Sequence, residues 1–146
     1  MDFFRWILKW TIEPIFNVGF HFLWYYSPYT WQANTFLGYK VKQLPFDLQI
    51  YQELIFRLRP KFILQTGVAD GGSVLYFASI LDLMKMPPEV LVIGVDIHLS
   101  ENAKKIDNPR IRLFEGNSTD SKLVAEIKHL LPVEGGMVIL DSDHSK

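Results

Sequence analysis

The sequence predicts an α/β domain built on a parallel sheet and preceded by an aromatic helical arm. Short apolar runs at 62–64, 90–95, 111–114 and 137–140 alternate with longer segments of helical periodicity. Each run ends in small, polar or acidic residues, and the first 26 positions are dominated by Trp, Phe, Tyr, Ile and Leu. Strands that alternate with helices need right-handed crossovers and therefore pair in parallel. With 49% hydrophobic and 21% charged residues among 146, the chain has the composition of one globular core, not of a disordered segment.

The arm comes first. Phe3 to Tyr26 reads as an aromatic helix, but Arg5, Lys9, Glu13, Pro14, Asn17 and His21 interrupt it. No uncharged run reaches the roughly 18 to 20 residues that a bilayer crossing needs. A small-residue cleavage site of the signal-peptide kind is also missing. The expected role is packing, on its own domain or on a partner subunit as a homo-oligomer contact. The alternative is a helix lying in a membrane interface with Arg5 and Lys9 snorkelling. Ser27 to Leu44 is broken by Pro, Gly, Asn and Thr and reads as an irregular connector. Its Trp31, Phe36 and Tyr39 are expected in core packing, with an acceptor wall as the alternative.

An amphipathic helix follows, with Ile50, Tyr51, Leu54, Ile55 and Leu58 on one face and Pro60 as its stop. Phe62 to Leu64 is a strand that runs into Thr66-Gly67. Ser73 to Met86 is long and apolar enough for a buried helix, closed by Pro87-Pro88. Val90 to Val95 shows no polar alternation, as expected of a strand covered on both faces, and ends at Asp96. A third strand at Ile111 to Phe114 exits through Gly116-Asn117-Ser118. Asp120 or Ser118 caps the next helix, whose Leu123, Val124, Ile127, Leu130 and Leu131 make one stripe before Pro132. Met137 to Leu140 is a fourth buried strand, ending in Asp141-Ser142-Asp143-His144.

All the chemically interesting polar residues fall at the carboxyl ends of strands, where parallel sheets bind ligands. Gln65-Thr66-Gly67-Val68-Ala69-Asp70-Gly71-Gly72-Ser73 follows a strand and opens a helix, the setting in which a glycine turn has a mechanism. Gly67 permits the sharp turn, and Gly71 and Gly72 would let backbone amides approach a ligand at the helix N-terminus. Asp96, at the tip of the next strand, would accept both hydroxyls of a ribose. The turn lacks the third glycine of a dinucleotide fingerprint, which favours a cationic adenosyl ligand without pyrophosphate, S-adenosylmethionine (SAM), over NAD. A net charge of −1 offers no general attraction to a nucleic-acid backbone. The absence of cysteine excludes disulfides and thiolate metal sites and fits a cytoplasmic location, with peripheral membrane contact as the lesser alternative.

From about Trp31 onward the sequence resembles the cephalosporin hydroxylase-like proteins, which include rhamnosyl O-methyltransferases. The resemblance lies in Leu44-Pro45-Phe46-Asp47 with Tyr51-Gln52-Glu53, Gln65-Thr66-Gly67 with Gly71-Gly72-Ser73, and Ile93-Gly94-Val95-Asp96-Ile97. Asn108-Pro109-Arg110-Ile111, Glu115-Gly116-Asn117-Ser118 and Ile139-Leu140-Asp141-Ser142-Asp143-His144 complete it in order. It implies a Rossmann-like class I SAM methyltransferase sheet, C-terminally truncated, over residues 45–146, with residues 1–44 as the aromatic arm. It further implies that the turn, with Gln65, Thr66, Gly67, Gly71, Gly72 and Ser73, holds the methionine part of SAM. Asp96 would take the ribose, and Asn117 and Ser118 would lie near the adenine.

The family also implies Mg²⁺ on carboxylates, with Asp143 as first ligand here and Asp141 as second, and His144 as a general base beside Asp143. Two departures stand out: Gln65 occupies a place usually held by Glu, and Asn117 one usually held by Asp. The acidic pair of a fifth strand is expected beyond Lys146, so these 146 residues are expected to show negligible turnover by themselves. The function implied is O-methyl transfer to a hydroxyl of a small molecule or sugar. A nucleotide-dependent oxidoreductase and a non-catalytic interaction module are the competing readings.

Overall fold

The computed structural model describes residues 3–142 of the chain. By internal packing the chain forms two compact units, Met1–Asn34 and Thr35–Lys146.

In the first unit, α1 (Phe3–Ile7), a π-helical stretch (Leu8–Ile12) and α2 (Glu13–Tyr26) follow one another directly. Pro14 explains the widening: it has no N–H to donate, and its ring crowds the carbonyl one turn back. Accordingly the Glu13 N–H reaches five residues back to the Leu8 carbonyl. No side chain of these helices is buried, and Phe3, Ile15, Phe16 and Tyr26 are among the most exposed. Their rings stack along the helix, Phe22 on Tyr26 at 4.8 Å between centroids. Trp31 packs on Tyr25 within this same unit, at 5.0 Å. Among the described residues no helix is long and apolar enough to cross a membrane.

The second unit begins with a hairpin, β1 (Thr35–Phe36) and β2 (Tyr39–Lys40). It continues through α3 (Pro45–Leu58), β3 (Phe62–Thr66), α4 (Gly72–Leu83), β4 (Leu91–Asp96), β5 (Ile111–Glu115), α5 (Ser121–Leu130) and β6 (Gly136–Leu140). The sheet has the order β5-β4-β3-β6, and every pairing is parallel. The chain therefore steps outward from β3 to β5 and then returns to the other side of β3. That reversal makes the β3–β6 boundary the topological switch point, where such sheets open a crevice at their carboxyl ends.

Two apolar clusters hold the layers. Ile55 of α3 and Val74, Phe77, Ala78 and Leu81 of α4 bury one face with Ile63, Val92, Met137 and Ile139. On the other face Ile127 of α5 packs with Ile93 and Val95, flanked by Leu64, Phe114 and Leu123. Below the sheet, Arg110 is buried with its guanidinium fully engaged: it donates to the Met86 and Val90 carbonyls at 2.6 and 3.2 Å and pairs with Asp82. This staples the α4–β4 connection to the start of β5.

Several boundaries differ from the sequence-based expectations. The connector is not wholly irregular, because Leu37 and Gly38, at φ 48° and 87°, turn residues 35–40 into the hairpin. Two successive left-handed residues suit a tight hairpin turn, but Leu-Gly is a weak signal for one. On α3 only Ile55 is buried; Ile50, Leu54 and Leu58 are exposed, so its buried stripe is narrower than the periodicity suggests. The α4 helix ends at Leu83, since Lys85 adopts φ 52°, and Met86 is buried in the following turn. Asp120, not Ser118, caps α5, accepting from the Lys122 and Leu123 amides at 2.9 and 3.0 Å. Finally, β6 is only half covered: Met137 and Ile139 are buried, whereas Val138 and Leu140 are 56% and 68% exposed. Among the described residues it pairs on one side, with β3.

Candidate cofactor-binding crevice

The glycine turn joins β3 to α4 and is held by a lattice of short-range bonds. Gly67 (φ 81°) and Gly71 (φ 88°) adopt left-handed conformations that L side chains rarely tolerate. The Gly71 N–H closes the turn on the Val68 carbonyl at 2.9 Å. Gly71 is also the N-cap of α4, with no side-chain cap, so the first amides of that helix have no partner within it.

Crowding gives the glycines a further reason beside the one the sequence suggests. A Cβ on Gly67 would sit 2.1 Å from the Asp141 carbonyl oxygen. On Gly71 it would strike the Ile106 side chain at 2.3 Å, and on Gly72 the Lys40 carbonyl oxygen at 2.4 Å. These residues are glycine because other parts of the chain lie against them.

Gln65 is buried and spends both ends of its amide inside the turn. Its Nε2 donates to the Gly67 carbonyl at 2.7 Å, and its Oε1 accepts from the Ser73 hydroxyl at 2.9 Å. The pair therefore fixes the shape of the turn. Thr66, also buried, accepts the Asp141 amide at 3.0 Å on its carbonyl, and its hydroxyl lies 3.4 Å from that of Ser142.

Asp96 is drawn onto the turn. One carboxylate oxygen accepts the Val68 and Ala69 amides at 2.7 and 2.9 Å, and the other accepts the His98 amide at 3.2 Å. Ala69 is itself left-handed at φ 49°, a cost that the two bonds to Asp96 help to offset. Beside Asp96, in register across the sheet, is Glu115. It accepts from the Leu99 amide and from Lys104, each at 3.3 Å, with His98 Nδ1 3.6 Å away. The hydrogen bond from Lys104, supported by the Leu99 amide, lowers the Glu115 pKa. Hydrogen bonds to Glu115 and Glu101 raise that of Lys104 in return. Sequence reasoning passed over Glu115 and His98, although an acid at a strand end was a legible signal.

Asn117 and Ser118 are exposed just past β5, and the preceding Gly116 amide bonds the Asp96 carbonyl at 2.7 Å. The Asn117 side-chain oxygen closes a local turn by accepting from the Thr119 amide and hydroxyl, both at 2.9 Å.

At the switch point stands Asp141. Its backbone abuts Gly67, and its carboxylate accepts a hydrogen bond from the side-chain amide of the buried Gln43. Tyr51 of α3 lies nearby, its ring edge-on to Phe77 at 5.3 Å. Burial, reinforced by the charges of Asp141 and Asp47, raises the Tyr51 pKa. Neither Gln43 nor Tyr51 stood out as a site residue. A lone Gln ahead of a helix carries no pattern, and Tyr51 read as part of an apolar face. Asp143 and His144 lie outside the described residues. Among those described, no group of three or more His, Asp or Glu side chains could hold a metal ion.

Residues 28–146 match the family model "Rhamnosyl O-methyltransferase/CmcI". The rhamnosyl O-methyltransferase of Mycobacterium tuberculosis (strain ATCC 25618 / H37Rv) is 32% identical over 124 residues, covering 84% of this chain and 50% of that protein. The Mycobacterium leprae (strain TN) enzyme is 33% identical, with coverage of 84% and 53%. The chain thus spans about half the length of the curated relatives it matches. Among solved structures, an Mg-SAM form of CmcI superposes with TM-score 0.62 at 23% identity, covering 77% of this chain and 47% of that one. An SAH form superposes with TM-score 0.60 at 23% identity, covering 77% and 54%. With a parallel sheet, a glycine turn and an acidic strand end in this order, and a family match over most of its length, the chain belongs to the Rhamnosyl O-methyltransferase/CmcI family.

Proposed function

We propose that the chain carries the cofactor-holding part of a SAM-dependent O-methyltransferase whose acceptor is a hydroxyl of a small molecule or sugar. The observation that carries the reading is the Asp96 carboxylate, fastened to the glycine turn at the carboxyl ends of β3 and β4 in a chain of this family. When bound, SAM supplies an electrophilic methyl group on a sulfonium.

The residues present suit it. A carboxylate offers about four acceptor directions; three amides take three of them on Asp96, which leaves one for a ribose hydroxyl. The first amides of α4, which have no acceptor within the helix, would serve the methionine carboxylate. Exposed Asn117 and Ser118 flank the adenine end. By ordering the turn before ligand arrives, Gln65, Ser73 and Asp96 reduce the entropy that binding would otherwise cost.

Magnesium assistance, implied by the family, would rest on Asp143 with Asp141 second. The described residues do not assemble a metal site, and the Asp141 carboxylate faces an amide donor. The O–H proton of the acceptor needs a base, for which His144 beside Asp143 is the candidate.

Titration calorimetry of the protein with SAM tests the reading. Saturable binding is expected; an absence of heat at millimolar SAM, or binding of NADH in its place, would reverse the assignment in favour of an oxidoreductase.

A further inference from the structure

In the first helical unit the polar side chains keep a regular spacing. Arg5, Lys9, Glu13, Asn17 and His21 stand at every fourth position of Phe3–Tyr26. A step of four overshoots the α-helical turn of about 3.6 residues, so such a row drifts around an α-helix. The π-helical stretch Leu8–Ile12 has a wider turn and takes back part of that drift. Arg5, Lys9 and Glu13 accordingly share one recess with Leu8. The polar residues thus form one strip along the helices.

Beside the strip the surface is apolar. Thr11 turns its hydroxyl back to the Ile7 carbonyl. Ile15, Phe16 and Val18 are each more than 70% exposed, and no residue of the three helical stretches is buried. At 3.6 residues per turn these three fan over about 160° of the α2 surface, opposite Glu13, Asn17 and His21. A helix packed on a single protein partner buries a stripe of about 100° or a little more, and a coiled-coil seam is narrower still. The apolar face is therefore broader than one groove or one second copy covers, whereas a fluid lipid phase covers a face of any width. Its aromatic residues fit the same phase: exposed Trp6 and Trp10 near one end and Tyr25 and Tyr26 at the other carry polar tips on apolar rings, the chemistry of the bilayer–water boundary. The strip carries both signs of charge, as a zwitterionic headgroup does.

We propose that Phe3–Tyr26 lies flat in the surface of a phospholipid bilayer, with its polar strip among the headgroups and its broad apolar face among the upper acyl chains. The charged strip and the lack of a long apolar helix among the described residues set this apart from a membrane crossing. The proposal is independent of the SAM reading.

All four tryptophans, Trp6, Trp10, Trp24 and Trp31, lie in the first unit, so the intrinsic fluorescence of the full chain reports on that unit alone. The test titrates the full chain with phosphatidylcholine vesicles, at a protein concentration where sedimentation shows a single species. Emission should shift to the blue, and the chain should sediment with the vesicles. Lipids brominated near the headgroup end of the acyl chain should quench more than lipids brominated near the bilayer centre. Phe16→Asp puts a charge on the apolar face and should weaken partitioning about 10-fold or more. Asn17→Asp puts the same charge on the strip and should change it about 2-fold or less. Both positions are exposed, and circular dichroism verifies that both variants keep their helix.

No shift at millimolar lipid would overturn the proposal, as would equal losses in the two variants. Binding confined to anionic vesicles and abolished by salt would replace insertion with simple charge attraction and overturn it too. Strongest quenching at the bilayer centre would reveal a spanning helix. A blue shift without lipid that grows with protein concentration would give the face to a second copy. The quenching profile of the unsubstituted chain decides the matter even if a variant fails to fold.

Discussion

The two rims of the crevice are built from different materials. At the β4–β5 rim, Glu115 and Lys104 form an exposed ion pair beside Asp96, with His98 close by. At the β3–β6 rim, Gln65, Ser73 and Gln43 are buried and neutral, and they satisfy one another, the turn and Asp141. Exposed ion pairs are screened and contribute little, whereas a buried donor or acceptor deprived of its partner keeps its full desolvation penalty. The comparison teaches that architecture is enforced at the β3–β6 rim, while the β4–β5 rim is free to be tuned toward a ligand.

Substitutions can sharpen or break this contrast. The largest effect is expected from Gly67→Ala, which forces a side chain into the Asp141 backbone at φ 81°. A loss of about 3 kcal/mol or more is predicted from the combined strain and overlap, measured by urea denaturation. Gln65→Leu follows, leaving the Gly67 carbonyl and the Ser73 hydroxyl without their partners, at about 2–3 kcal/mol. If it proved neutral, the rigid-rim account would fail.

Asp96→Ala should cost less stability, about 1–2 kcal/mol, because its site is partly open to water that can replace the lost acceptor. Its effect on affinity for S-adenosylhomocysteine (SAH) should nevertheless be severe, and a variant that bound SAH normally would remove Asp96 from the site. The smallest effect belongs to Glu115→Gln. The Glu115 pKa is lowered, so its contribution is present above the ordinary glutamate pKa and is lost as pH falls through the depressed value. The Lys104 pKa is raised, so the same pair also weakens as pH rises through that raised value. The difference in Tm between the two proteins should therefore be greatest near neutrality, vanish toward both extremes and shrink with added salt.

The same contrast explains what the sequence made legible. The strand–turn–helix order, the parallel sheet and Asp96 were readable because continuous apolar runs, glycine pairs and acids at strand ends each have few physical meanings. The Asp120 cap was legible as one of two choices, and geometry decided between them. Gln43 was not legible, since its partner lies 98 positions away and only the fold joins them. The glycines were recognised as necessary, but the neighbours that also crowd them, Asp141, Ile106 and Lys40, are remote in sequence and were not legible. The half-covered β6 was missed because periodicity does not reveal which face of a strand finds a covering layer.

The central claim is that adenosyl sulfonium lies along the carboxyl ends of β3 and β4. Crystals of the protein soaked in SAH test it most directly. The account predicts ligand density with the ribose on Asp96 and the amino-acid end at the α4 N-terminus. A crevice filled by the protein's own side chains, or a ligand seated elsewhere, would contradict it.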